Sequence, residues 1–166
     1  RLVGDSAFCA SLGFSLETMP ALFIPNTYEA YWNTDAEAFI RRMKKEYERF
    51  WTQERKDKAQ ACGLTPVEVS TLASIVEEET ANKSEMPMVA ELYLNSLQAE
   101  MPLQADPTIK FSLQEFGLRR ILHKHLEVES PYNTYKHAGL PPGPIRIASI
   151  QGIESVLNHA QHDYLY

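Results

Sequence analysis

One segment near the middle of the chain, residues 65–80, fixes where a helix starts and which side of it must be buried. Thr65-Pro66-Val67-Glu68 combines an N-cap threonine, a proline at the first helical position and a glutamate placed to complete a capping box. At about 100° per residue, the apolar side chains that follow share one face. They are Val69, Leu72, Ala73, Ile75 and Val76. The sequence therefore predicts a core helix, and this helix ends in three consecutive carboxylates.

The three carboxylates leave this helix in different directions. Glu78 lies opposite the apolar face and Glu77 lies to its side, whereas Glu79 falls within about 50° of the centre of that face. An apolar environment disfavours the charged form of a carboxylic acid, which is how a glutamate becomes a general acid near neutral pH. We therefore predict that Glu79 is the least exposed of the three, lines a cleft and donates a proton. The alternative is a solvated charge run at a helix end, which is the commoner use of such a pattern.

Composition excludes several classes of function. The 166 residues are 44% hydrophobic and 23% charged, as is typical of a globular domain. The net charge of −6, without a basic patch interleaved with aromatics, argues against nucleic-acid binding. Cys9 and Cys62 have neither CxxC nor Cys/His spacing, so we predict no structural metal. A glycine-rich phosphate cradle is also missing, and we predict no cofactor.

The ends of the sequence indicate a piece of a longer protein. It opens at Arg1 without an initiator methionine, and Tyr164-Leu165-Tyr166 resembles a strand being entered. No apolar run approaches the roughly 18 residues of a membrane-spanning helix. We therefore expect the chain to continue beyond residue 166 and any targeting segment to lie outside it.

The patterning predicts a predominantly helical α+β domain with short β segments and Pro/Gly-rich loops. Thr34-Asp35-Ala36-Glu37 should open a long helix that ends before Gly63, and further helices are expected at about 84–97 and 150–160. Residues 22–28 and 103–109 are expected to be extended, the latter because a helix should not run through Asp-Pro. Residues 1–33 form a turn-rich lead-in, and residues 34–166 form the main domain.

Polar aromatic residues follow the helices on a turn-rich segment. Tyr132, Asn133 and Tyr135 offer amide and hydroxyl hydrogen bonds beside aromatic faces, which is what sugar rings require. Taken singly, each has a simpler interpretation as a turn-stabilising asparagine or a partly buried tyrosine. Together with a single helical acid, they favour carbohydrate chemistry.

Four segments, in order and with the right spacing, resemble the endolytic murein transglycosylases of the YceG-like family. They are residues 73–80 (ASIVEEET), 103–108 (LQADPT), 131–135 (PYNTY) and 139–145 (GLPPGPI). The upstream segment Phe23-Ile24-Pro25-Asn26-Thr27-Tyr28 is similar to an aromatic-Pro-Asp-Thr-Tyr segment of that family. The resemblance covers roughly residues 20–166. Two departures are Asn26, where aspartate is common, and Ala148-Ser149 in place of a frequent Pro-Gly.

The resemblance implies a reaction and a set of site residues. Family members cleave the MurNAc–GlcNAc bond within peptidoglycan strands without water and leave a 1,6-anhydro-MurNAc end. Their catalytic glutamate immediately precedes Thr or Ser, which here identifies Glu79. The matching segments supply candidate substrate-binding residues, namely Gln104, Asp106, Thr108, Tyr132, Asn133 and Tyr135. Asp106 is interpreted mainly as an N-terminal or turn-capping residue before Pro107, and otherwise as a residue that lines a glycan groove.

The resemblance also implies a place in the cell. Family members act in bacterial cell-wall biogenesis on the periplasmic side of the inner membrane, behind a single N-terminal membrane helix and a small LysM-like domain. The implied partners are peptidoglycan strands and cell-wall synthesis proteins, with membrane contact only through that anchor. Two alternatives remain. One is a non-catalytic glycan-binding or scaffolding module, and the other is a pyridoxal-phosphate enzyme of the aminodeoxychorismate-lyase type, a label that some family members carry.

Overall fold

The fold is built from helices. The computed structural model describes residues 2–26, 28, 34–115 and 117–159, and within these ranges it contains seven α-helices and three short 3-10 segments. None of these helices has the length and apolar character needed to cross a membrane. The α-helices are α1 (Ser6–Ser11), α2 (Ala36–Phe50), α3 (Gln53–Ala61), α4 (Pro66–Glu79), α5 (Met86–Gln98), α6 (Asp106–Leu113) and α7 (Ile150–Leu157). The 3-10 segments are Leu2–Gly4, Met19–Leu22 and His123–Glu127.

The prediction of an α+β fold is wrong, because the described residues contain no strand and form a helical domain. Of the segments expected to be extended, residues 103–105 form a loop that contacts Thr134. The Gln104 N–H donates to the Thr134 carbonyl at 3.2 Å, but the next donor, the Ala105 N–H, goes to the Thr134 side chain at 2.9 Å. A β ladder needs successive backbone pairs, and here a side chain takes that place. The strand expected at residues 164–166 lies outside the described residues.

Two helix boundaries differ from the prediction. Helix α6 begins at Asp106 and contains Pro107 in its first turn, although Asp-Pro was expected to prevent a helix there. Proline is well tolerated at this point because the first helical N–H groups have no partner within the helix. The long helix expected before Gly63 is two helices, because Thr52 caps a new one by accepting the Arg55 N–H at 3.3 Å. Trp51 ends the first of them.

Helix α4 lies at the centre of the packing and contacts α3, α5, α6 and α7. Its predicted capping box is confirmed, since Thr65 Oγ1 accepts the Glu68 N–H at 3.2 Å and the Glu68 carboxylate accepts the Thr65 N–H at 2.9 Å. Every residue from Val69 to Val76 is buried. The predicted apolar face is therefore part of a helix that is enclosed on nearly all sides over its central turns.

A second, smaller core forms where α1, the Met19–Leu22 segment and α2 meet. Its buried members include Cys9, Leu12, Met19, Leu22, Ile40 and Met43. Tyr47 of α2 packs against both this cluster and the large one. Burial raises the pKa of the Tyr47 hydroxyl to about 12, so it stays protonated. Helix α2 thus joins the N-terminal part of the chain to the core around α4.

Gly143 lies in the Pro/Gly-rich loop of residues 139–145. A glycine is required there because the loop backbone passes close to the backbone of Glu17. A Cβ atom at this position would lie 1.9 Å from the Glu17 carbonyl oxygen and 2.5 Å from its carbon. We expect Gly143→Ala to lower the free energy of unfolding by about 1–3 kcal/mol, because a backbone carbonyl cannot rotate away as a side chain can. Thermal or urea unfolding measures this.

Gly4→Ala is the matched control, since a Cβ atom there meets nothing within 4 Å. It should change the unfolding free energy by no more than about 0.5 kcal/mol. Equal stability of the two variants would contradict this account of the loop.

Candidate active site

The C-terminal end of α4 presents its three glutamates to different surroundings. Glu78 is exposed, with 44% of its side chain accessible, as predicted. Glu79 is partly buried. The prediction did not anticipate Glu77, whose side chain is only 6% exposed. Helix α4 therefore has a carboxylate on each of two sheltered sides and a third that faces solvent.

The carboxylate of Glu79 is contacted by α5. The hydroxyl of Tyr93 donates a hydrogen bond to Glu79 Oε2 at 3.2 Å, and Tyr93 itself is 0% exposed. The sequence predicted a helix at about residues 84–97 but did not single out Tyr93. A tyrosine at an inward position needs a partner for its hydroxyl, and that requirement was the available signal.

Glu77 binds the segment that leads into α7. Its Oε1 accepts hydrogen bonds from the backbone N–H and the hydroxyl of Ser149, both at 2.6 Å. Arg146 adds its charge, with Nε 3.5 Å from Glu77 Oε2 and Nη1 3.0 Å from Glu78 Oε1. A buried carboxylate needs such partners, because burying an unpaired charge is costly. Glu77 thus has a structural role, holding the segment before α7, that the sequence did not reveal.

The Pro/Gly-rich loop is docked onto the same helix. The Ile145 N–H donates to Ser74 Oγ on α4 at 3.1 Å, and Pro141, Gly143 and Pro144 are buried. The loop is therefore held on α4 at Ile145, shortly before Ser149.

The two predicted substrate segments are joined to each other. The Tyr135 hydroxyl donates to Asp106 Oδ1 at 2.5 Å, and the hydroxyls of Thr108 and Thr134 lie 2.8 Å apart. Helix α6, which begins at Asp106, packs against α4. The structure thus brings residues 104–108 and 132–135 together, and α6 packs on the helix that carries Glu79. Asp106 does not cap the helix, because the N-cap residue is Ala105 and makes no side-chain capping bond.

Two of the predicted substrate residues are enclosed by the chain. Asn133 is 0% exposed, donates through its amide nitrogen to the carbonyls of Leu126 and Val128 at 3.0 and 2.8 Å, and accepts the Tyr135 N–H at 2.9 Å. Thr108 is also 0% exposed, and its hydroxyl donates to the Ala105 carbonyl at 2.6 Å. Both side chains use their polar atoms to order residues 104–108 and 132–135, which we call the joined loops.

The other four predicted substrate residues reach the surface. Gln104 and Asp106 are exposed, and Tyr132 and Tyr135 are partly buried. Gln104 has a φ of 53°, a left-handed conformation that costs a non-glycine residue on the order of 1 kcal/mol and turns the chain sharply. These four residues form the accessible polar surface of the joined loops.

Tyr132 has an aromatic partner on α6. Its ring centroid lies 4.7 Å from that of Phe111 at an interplanar angle of 46°. Burial raises the pKa of the Tyr132 hydroxyl, and the charge of Glu17 raises it further. Tyr132 therefore keeps its proton and presents a hydroxyl donor beside the ring of Phe111.

No group of three or more His, Cys, Asp or Glu side chains suited to a metal ion occurs within the described ranges.

Comparison with characterised proteins identifies relatives of one kind. The chain is 37% identical over 129 residues to an endolytic murein transglycosylase of Bacillus subtilis, covering 78% of this chain and 34% of the relative. It is 36% identical over 107 residues to an endolytic murein transglycosylase of Streptococcus pneumoniae, covering 62% of this chain and 19% of the relative. The chain thus spans about a third or less of the length of these relatives.

The fold points in the same direction. A crystal structure of a YceG-like protein from Listeria monocytogenes superposes with a TM-score of 0.80 at 31% sequence identity, covering 99% of this chain and 59% of the other. The sequence model of the YceG-like family matches residues 5–166. Because this match takes in nearly the whole chain, the chain belongs to the YceG-like family.

Proposed function

We propose that this chain is the catalytic region of an endolytic murein transglycosylase, which cleaves the MurNAc–GlcNAc bond of peptidoglycan and leaves 1,6-anhydro-MurNAc ends. The observation that carries the proposal is the placement of Glu79. This carboxylate ends a buried helix, is partly buried and receives a hydrogen bond from a buried tyrosine. The family membership and the printed names of the relatives support the choice of substrate.

The proposed reaction needs one carboxylate. Glu79 donates its proton to the glycosidic oxygen as the bond to C1 of MurNAc breaks, and positive charge develops at that carbon. The Glu79 carboxylate then takes the proton from the C6 hydroxyl, while the C6 oxygen closes on C1 to form the anhydro ring. Glu79 ends the cycle protonated, and no water enters the product. Most glycosidases instead use two carboxylates, about 5–9.5 Å apart, to manage a nucleophile or a water molecule.

The neighbouring carboxylates support a single acid. Glu77 is held by Ser149 and Arg146, and Glu78 is exposed beside the same arginine. Asp106 accepts the hydroxyl of Tyr135. Glu77 serves to hold the start of α7 and Glu78 faces solvent, which supports the partly buried Glu79 as the group that exchanges protons with the glycan.

In the proposed complex, the joined loops bind sugar rings. Gln104 and Asp106 provide hydrogen bonds, and Tyr132 and Tyr135 provide hydroxyls and aromatic faces. Thr108 and Asn133, which are enclosed by the chain, act by holding these four residues in place.

We further propose that residues 34–166 form the catalytic domain and residues 1–33 lead into it. Murein is a cell-envelope polymer, so the chain acts in the envelope. From the family resemblance, we propose that the full-length protein acts on the periplasmic side of the inner membrane behind a single-pass anchor, with cell-wall synthesis proteins as partners.

Replacement of the proposed acid should abolish most of the cleavage. Glu79→Gln keeps the size of the side chain but has no proton to give, and positioned general acids contribute about 10²- to 10⁴-fold to rate. We expect anhydro-end formation in the full-length protein to fall by such a factor, while thermal unfolding stays cooperative. The measurement is digestion of purified peptidoglycan followed by mass analysis of the strand ends.

Glu78→Gln is the matched control, one residue away and exposed, and it should retain most of the activity. Equal losses in both variants would contradict the one-carboxylate mechanism. Reducing ends in place of anhydro ends would indicate a hydrolase, and glycan binding without any cleavage would indicate a binding module.

The joined loops should affect substrate binding more than turnover. Tyr135→Phe removes the hydroxyl that we propose binds the glycan, and one such hydrogen bond contributes about 1 kcal/mol, or roughly fivefold in affinity. We expect the affinity for glycan strands, measured calorimetrically in a Glu79→Gln background, to fall by about that factor. Tyr135→Ala, which also removes the ring, should weaken binding further. Unchanged affinity in Tyr135→Ala would exclude this surface from the binding site.

A further inference from the structure

Tyr93 brings the hydroxyl of a core side chain against the carboxylate of Glu79, 14 residues earlier in the chain. We propose that Tyr93 is a positioning residue for the proton transfer: it orients the Glu79 carboxylate and stabilises the negative charge that appears there when the proton leaves. This inference rests on the function proposed above, and it adds a residue that contacts the acid but not the glycan.

The ring of Tyr93 is held rigidly. It is 0% exposed and belongs to the large core cluster, and the next residue, Leu94, is 4% exposed. Close packing leaves such a ring little freedom, so the direction of its hydroxyl is set by the core. Helix α5 packs directly on α4 and carries this hydroxyl to the last helical residue, Glu79.

The backbone at Glu79 is also fixed. The Tyr93 hydroxyl can therefore affect only the orientation of the Glu79 side chain. Thr80, the C-cap residue, donates its N–H to the Val76 carbonyl at 3.1 Å and its hydroxyl to Glu85 at 3.0 Å. The Asn82 N–H donates to the Thr80 hydroxyl at 3.1 Å. The chain therefore leaves α4 in a defined direction. What remains to be set is the orientation of the Glu79 carboxyl group, and the Tyr93 hydroxyl contacts one of its two oxygens.

The chemistry of the contact favours the transition state. A hydroxyl donates a stronger hydrogen bond to a carboxylate than to a neutral carboxylic acid, because the ionised acceptor carries more negative charge. The contact therefore strengthens as Glu79 gives up its proton to the glycosidic oxygen. An interaction that is stronger in the transition state than in the ground state raises kcat. Tyr93 is buried, so its loss should leave glycan binding, and hence KM, nearly unchanged.

Tyr93→Phe tests this inference, because it removes one oxygen atom and keeps the ring in the core. Hydrogen bonds to charged groups contribute enough for a loss of about tenfold or more. We expect kcat for anhydro-end formation by the full-length protein to fall by at least about tenfold, with KM unchanged within about twofold. Tyr93→Met, a second variant without the donor and with an adaptable apolar side chain, should show the same separation of kcat from KM even if one of the two variants folds poorly.

Tyr47→Phe is the matched control. Tyr47 is another tyrosine of the core, and it packs against Phe14 and Trp51 at centroid distances of 5.3 and 6.4 Å. Its replacement should leave both kcat and KM unchanged. An equal loss of kcat in Tyr47→Phe would show that any missing core hydroxyl has this effect, and would overturn the inference.

A double-mutant cycle provides a readout besides activity. If the Tyr93 hydroxyl interacts with the Glu79 carboxylate, the effects of Tyr93→Phe and Glu79→Gln on thermal unfolding should not add. Additive effects, or a rise in KM with kcat unchanged, would overturn the inference while leaving the proposed function intact. A wild-type protein that forms no anhydro ends would instead overturn the proposed function, and this inference with it.

Discussion

The carboxylate of Glu77 joins the end of α4 to the start of α7, beside the candidate site. It accepts the N–H and the hydroxyl of Ser149 at 2.6 Å each, and Ser149 is the N-cap residue of α7. Gly152, one turn later, leaves room for it, since a Cβ atom there would lie 1.9 Å from Glu77 Oε1. A negative charge at the start of a helix is favourable, because the first N–H groups point toward it. This contact sets the position of α7 on α4, and so the packing behind the end of α4.

The end of α4 can hold the proposed acid, Glu79, on one side because it is anchored on the other. Glu77 and Glu79 leave the helix about 160° apart. Ser149 and Arg146 bind the first, and Tyr93 of α5 binds the second. With its backbone fixed from behind and its flanking charge partly balanced by Arg146, Glu79 is presented by a rigid element. Rigid placement of the acid is what a one-carboxylate mechanism depends on, because the same group must act first as acid and then as base.

The departure from the family pattern at Ala148-Ser149 has a structural meaning here. Ser149 stands where the family frequently has glycine, and in this chain it both caps α7 and donates to Glu77. Its hydroxyl also accepts the Gly152 N–H at 3.0 Å. The Ser149 side chain therefore both caps α7 and binds it to α4. In the joined loops, too, buried polar side chains order the backbone. Thr108, Asn133 and Thr134 are buried, and the same backbone carries the accessible Gln104, Asp106 and Tyr135.

Much of the helical framework could be predicted from the sequence, because its signals are local. The Thr65 capping box, the buried face of α4 and the exposure of Glu78 follow from interactions within about four residues. The predicted β segments were wrong because a strand exists only through pairing with another strand, and the loops pair through Thr134 instead.

The contacts that define the candidate site were decided by the tertiary structure. Tyr93 meets Glu79, Ser149 meets Glu77 and Tyr135 meets Asp106 across separations of 14, 72 and 29 residues. Helical periodicity shows which side of a helix faces the core, but it does not show which side chain of another helix will be found there. That depends on how α4, α5, α6 and α7 pack together, a property of the whole core and not of any one segment.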